Sequence, residues 1–132
     1  MKKSRKLGCL IAALVFIAVI IVTIFVIITV IEKNLESFSE LDFASLDMGT
    51  VEDGTYTGSA DGSIVKATVE VTVKDHVIMD IKILSHDNGK GKPAEAIVDD
   101  IVANNSLEVD VVSGATSSSN IIKAAVLNAL TK

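Results

Sequence analysis

The sequence holds a single cysteine, Cys9, so no disulfide can close within the chain. A lone cysteine also excludes the Cys-x-x-Cys-His pattern that attaches haem. The two histidines and the scattered carboxylates show no zinc-ligand spacing. Neither a Gly-rich dinucleotide fingerprint nor a P-loop is present. Ser113 does not sit in Gly-x-Ser-x-Gly, so a hydrolase nucleophile elbow is not supported. The sequence therefore offers no metal ligands and no catalytic residue of its own.

Charge is missing altogether from residues 7–31, which are almost all Leu, Ile, Val, Ala and Phe. A helix of that length spans about 37 Å, enough to cross a hydrocarbon core of about 30 Å with some tilt. Lys2, Lys3, Arg5 and Lys6 precede the run, and Glu32, Lys33, Glu36, Glu40 and Asp42 follow it. The positive-inside rule expects the N-terminus in the cytoplasm and the rest of the chain outside. A cleaved signal peptide would have a shorter apolar core and a small-x-small site after it, which Glu32-Lys33-Asn34-Leu35-Glu36 does not offer. An uncleaved anchor is expected. Cys9 precedes most of the run and so does not stand where a lipoprotein cysteine would.

The chain's twelve basic residues, less these four, leave eight against seventeen acidic residues after residue 31, a net charge of −9. A part that acidic is not expected to bind nucleic acid, which needs a basic surface, and is held off anionic lipid. With 132 residues, there is room for one ordinary domain beyond the apolar run.

Residues 32–52 mix acidic and apolar side chains with spacings of three and four. This is read as a stalk that packs loosely or docks on a partner, or else as a solvated linker. A short glycine-bounded strand is expected over residues 53–60, followed by a turn at Asp61-Gly62-Ser63. Val65, Ala67, Val69, Val71 and Val73 then alternate with Lys66, Thr68, Glu70, Thr72 and Lys74, a strand with one buried and one wet face. Asp75-His76 reads as an exposed two-residue hairpin turn, which requires positive φ that His tolerates without favouring. The strand beyond it, residues 77–84, would place Val77, Met79, Ile81 and Ile83 on one face. A polar loop from Ser85 to Lys92 follows, with His86 in it. Pro93 stands at a helix start, and Ala94, Ile97, Val98, Ile101 and Val102 give that helix an apolar face. The expectation is α+β: a small antiparallel sheet built on a hairpin and packed with two helices, preceded by one transmembrane helix.

The stretch Asp110-Val111-Val112-Ser113-Gly114-Ala115-Thr116-Ser117-Ser118-Ser119-Asn120 leads into a final apolar helix containing Ile121, Ile122, Ala124, Ala125, Val126 and Leu127. The free N–H groups and positive dipole end of a helix N-terminus suit a phosphate or other anion. Gly114 permits close backbone approach or positive φ. Ser117, Ser118, Ser119 and Asn120 are all acceptable N-caps. On spacing alone, a plain Ser/Gly turn capping an amphipathic helix is the better account of the stretch.

The letters of Asp110-Val111-Val112-Ser113-Gly114-Ala115-Thr116 resemble the flavinylation motif Asp-x-x-Ser/Thr-Gly-Ala-Thr of the FMN-binding domain family, with every fixed position present. That family includes the flavin subunits of Rnf-type and sodium-pumping NADH:quinone oxidoreductases and small single-pass bacterial proteins. The likeness extends from about residue 53 to residue 130, through Asp-Gly-Thr-Tyr-Thr-Gly, strand, turn, strand, helix, Ser-Gly-Ala-Thr and helix. It implies FMN joined covalently to Thr116 by a phosphoester. It also implies a separate Mg-dependent flavin transferase with FAD as donor, for which Asp110, Ser113, Gly114 and Ala115 serve recognition and fit. Ser117 and Ser118 would donate hydrogen bonds to the flavin phosphate, and His86 would lie near the flavin. The loop after His86, Asp87-Asn88-Gly89-Lys90-Gly91, departs from the Glu-Thr-Pro-Gly common in the family; Lys90 or Lys92 could instead reach the flavin's anionic positions. The implied organisation is a cytoplasmic basic N-terminus over 1–6, a transmembrane helix over 7–31, an extracytoplasmic stalk over 32–52 and an FMN-binding domain over 53–132. The expected role is electron relay between a membrane dehydrogenase or quinol and an external acceptor. The alternatives are an extracytoplasmic binding module without redox work and a flavin-dependent reductase acting directly on an external substrate.

Overall fold

A computed structural model describes residues 2–132 except Asn88 and Lys90, with side chains described from residue 7 onward. The chain divides into two compact units, Met1–Lys33 and Asn34–Lys132. In the first, helix α1 (Lys2–Ser39, continuing into the second unit) is long and apolar enough to cross a membrane, and the side chains of its most apolar window are exposed among the described residues.

The second unit is α+β. Strands β1 (Gly54–Asp61), β2 (Lys66–Lys74) and β3 (Val77–Asp87) form one antiparallel sheet in the order β1-β2-β3. Helices α2 (Ile97–Asn104) and α3 (Thr116–Leu130) pack on the sheet, α3 across β1 and β2 and α2 against β3. A 3-10 turn (Lys92–Ala96) with Pro93 in its first turn leads into α2. The alternation of β2 is as its letters require: Ala67, Val69, Val71 and Val73 are buried, while the intervening residues face outward.

In β3 the face predicted from simple alternation holds for Ile81 and Ile83 and fails for Val77 and Met79. Met79 has no partner between the pairs Val73↔Ile78 and Val71↔Ile81, and Leu84 has none between Val69↔Ile83 and Thr68↔Ser85. Each extra residue reverses the alternation beyond it. Ile78, Ile81 and Ile83 therefore turn toward the core, and Met79 is exposed. The hairpin turn does have positive φ at both Asp75 (+52°) and His76 (+62°), and it is exposed. It is also pinned. His76 Nδ1 lies 2.8 Å from the Val51 carbonyl, and Asn105 donates to the His76 carbonyl and accepts from the Ile78 N–H.

Two features fix α3. Gly58 in β1 lies under it, where an added Cβ would stand 2.1 Å from the Ala125 carbonyl oxygen and 2.4 Å from the Ala129 nitrogen. Only glycine lets strand and helix come this close. Asn128 and Lys132 then donate to the Ser59 and Thr57 carbonyls of β1. The segment read as a stalk contributes to the same core: Leu35, Phe38, Phe43, Leu46 and Met48 are partly buried against it. With the sheet on one side and this segment on another, α3 is buried nearly all round, from Ser118 through Val126.

Candidate functional site

The motif stretch folds as a turn feeding a helix. The Ala115 N–H donates to the Val112 carbonyl at 2.9 Å, and Gly114, third in this four-residue turn, has φ +78°. That is the position at which a type II turn needs glycine. A Cβ on Gly114 would meet nothing within 4 Å, so positive φ, and not crowding, is what this position requires within the chain.

Helix α3 begins at Thr116, with Ala115 as its N-cap and no side-chain cap. None of the four candidate capping residues takes that role. Ser119, fully buried, donates to the Ala115 carbonyl at 2.9 Å and accepts from the Val112 N–H at 3.0 Å, so its hydroxyl ties the turn to the helix. The Ser119 N–H bonds the Ala115 carbonyl at 2.9 Å. The N–H groups of Thr116, Ser117 and Ser118 come before it and have no carbonyl to reach within the helix. No acidic side chain stands in this first turn, so nothing there offsets the positive end of the dipole.

These groups border a cleft of about 420 Å³ lined by Val65, Gly91, Gly114, Ala115, Thr116, Ser117 and Ser118. Thr116 is exposed, Ser117 half-buried, and Ser118 and Ala115 buried. Val65 supplies an apolar wall from the β1–β2 turn. There Lys66 pairs with Asp61 at 2.9 Å, which holds the Asp61 carboxyl below its usual range and raises Lys66. A donor-rich helix end beside an apolar wall suits a phosphorylated aromatic cofactor.

Not every predicted residue joins this cleft. Ser113 is exposed in the turn outside its lining. Asp110 faces a second cleft, of about 320 Å³, with Asp100, Asn104, Glu108 and Val109. His86 is not in a loop, as its letters suggest, but on β3, opposite Ala67. The bulge at Leu84 turns it inward, leaving its side chain 1% exposed with Nδ1 3.1 Å from Glu95 Oε1. Lys92 is exposed, and the prediction for Lys90 falls outside the described residues. Among the described residues no cluster of His, Cys, Asp and Glu could hold a metal.

Sequence reasoning missed Val65 and Gly91 in the cleft, the tying role of Ser119, and Lys123. Lys123 is the one cation within the apolar run of α3, and that interruption is the signal that could have found it. Its ammonium donates to the Val109 carbonyl at 3.1 Å and lies 4.2 Å from the centroid of the Phe43 ring. Burial pushes its pKa down, against the opposing pull of Asp110 and Glu108.

No curated protein matches the chain. The FMN-binding domain family matches residues 62–131, a stretch holding β2, β3, α2, the glycine turn and all of α3. β1 precedes the matched stretch but pairs with β2 along its whole length. With over half of its length matched, and the cleft at the head of α3 inside the match, the chain belongs to the FMN-binding domain family.

Proposed function

We propose that the protein is a membrane-anchored flavoprotein that carries FMN covalently on Thr116 and relays electrons outside the cytoplasmic membrane. The observation that carries this reading is the exposed Thr116 hydroxyl at the first residue of α3, within Asp-x-x-Ser-Gly-Ala-Thr and on the rim of the cleft. The residues there fit the cofactor. The free N–H groups of the first turn and the hydroxyls of Ser117 and Ser118 would hold the phosphate, and Val65 would take apolar ring surface. The flavin supplies the redox chemistry once bound.

The chain's own part is to present an acceptor. A threonine hydroxyl is a weak nucleophile, so attachment needs a separate Mg-dependent flavin transferase. Thr116 Oγ1 forms a bond to the FMN phosphorus of FAD, the pyrophosphate bond to the AMP phosphate breaks, AMP leaves, and the hydroxyl proton passes to the transferase or solvent. Gly114 keeps the turn in its left-handed form, and Ser119 fixes the turn on the helix, so the hydroxyl stays at the rim. The basic N-terminus and acidic remainder support a cytoplasmic start and an external domain. The anchor would keep the flavin within reach of quinol or a membrane dehydrogenase.

The test is in-gel flavin fluorescence of the denatured protein, expressed with and without a flavin transferase. A band that survives denaturation only with the transferase supports covalent FMN. A dark band in both lanes removes the covalent assignment and moves an external binding module to first place.

A further inference from the structure

Lys123 stands in the stretch Ile121–Val126, whose other members are fully buried and apolar. A buried ammonium costs stability unless its donors are met, and an apolar residue of similar volume would serve the core as well or better. What Lys123 gains there is connection. Its Nζ reaches the Val109 carbonyl at 3.1 Å, inside the segment that precedes the glycine turn. It also lies over the ring of Phe43, from the segment between the apolar helix and the sheet. The flanking carboxylates Glu108 and Asp110 bear on it electrostatically. Thus one side chain ties the membrane-proximal segment, the approach to the motif and the helix that starts at Thr116.

We propose that Lys123 is a positioning residue for flavin attachment, holding the backbone at Val109 so that Asp110 is set for recognition by the flavin transferase. The inference rests on the covalent reading above. Residues 107–112 form neither helix nor strand, so their place depends on such side-chain ties. Val112 is held by Ser119 and Val109 by Lys123, one on each side of Asp110. Both ties come from α3, three and seven residues after Thr116, so acceptor and recognition residue are fixed to one rigid element.

The experiment uses the full-length apo-protein in detergent as substrate for a flavin transferase with FAD and Mg²⁺, following fluorescence on denaturing gels. Lys123→Met should lower kcat/KM about tenfold, the loss expected for one charge-assisted hydrogen bond, chiefly through KM. Lys123→Arg, which keeps charge, donors and ring stacking, should restore most of it. In an Asp110→Asn background, Lys123→Met should have little further effect, because the residue it positions is already disabled. A purely structural role would lower the urea midpoint yet leave the two effects multiplicative. If the Met variant fails to fold, Lys123→Gln takes its place in the same cycle. Equal labelling of Lys123→Met and wild type, or full multiplicativity, overturns the inference alone. A wild type that takes no flavin overturns the covalent reading and this inference with it.

Discussion

Gly58→Ala is the sharpest probe of how the site is carried. The new Cβ would stand 2.1 Å from the Ala125 carbonyl oxygen, 2.4 Å from the Ala129 nitrogen and 2.7 Å from the Ala129 Cβ. Two of these are backbone atoms of a helix, so no rotamer change relieves the contact, and α3 must move off β1. Overpacking of this kind costs about 1–3 kcal/mol, and rigid backbone on both sides puts the expectation at about 2–3. The lower conformational entropy of the unfolded chain usual for Gly→Ala, worth about 0.4–1 kcal/mol, offsets part of it and leaves about 2 kcal/mol net. With a urea slope of about 1–2 kcal/mol/M, the unfolding midpoint should fall by about 1–2 M. Pulse proteolysis of the detergent-solubilised chain in a urea series reads this, because the unit Asn34–Lys132 is cleaved when unfolded. A midpoint unchanged from wild type would refute the close approach of α3 to β1.

Other substitutions separate the site's parts. Gly114→Ala meets open space, so its cost is the left-handed φ alone, about 1–2 kcal/mol, and Gly114→Asn should cost less; the same urea series ranks them. Ser119→Ala strands the Val112 N–H and should cost about 1–3 kcal/mol, with slower flavin labelling because the turn loosens. The folded state lowers the pKa of Lys123 from the ordinary 10.5, so the unfolded chain binds the proton more tightly. Stability should therefore rise with pH from the lowered value up to the ordinary one, and be lowest, as far as this group goes, below that window. A plot of thermal midpoint against pH for wild type should show this rise relative to Lys123→Met; parallel curves would contradict it.

The sequence made some of this legible and hid the rest for physical reasons. The valine alternation of β2 was readable because a half-buried strand must alternate, and Gly114 because a non-glycine residue resists positive φ. The two bulges in β3 were not readable. Val77, Met79, Ile81 and Ile83 form a clean period of two, and an extra residue appears only when the partner strand is present. The same bulge at Leu84 hid the inward turn of His86 and extended the strand past it. Residues 34–52 gave an ambiguous mixture of acidic and apolar letters, and only the buried flank of α3 shows where Leu35, Phe38 and Phe43 go. The helix start was ambiguous because four consecutive residues can cap; tertiary hydrogen bonds to Ser119 decided it.

The central claim is the bond at Thr116, and peptide mass spectrometry tests it most directly. Protein made together with a flavin transferase should yield a peptide spanning Ser113–Ser119 that is heavier by one FMN less one water, with fragmentation placing the added mass on Thr116. Thr116→Val, near-isosteric at an exposed position, should fold and stay unmodified. An unmodified wild-type peptide, the same mass on Ser113, Ser117 or Ser118, or a modified Thr116→Val chain would contradict the account.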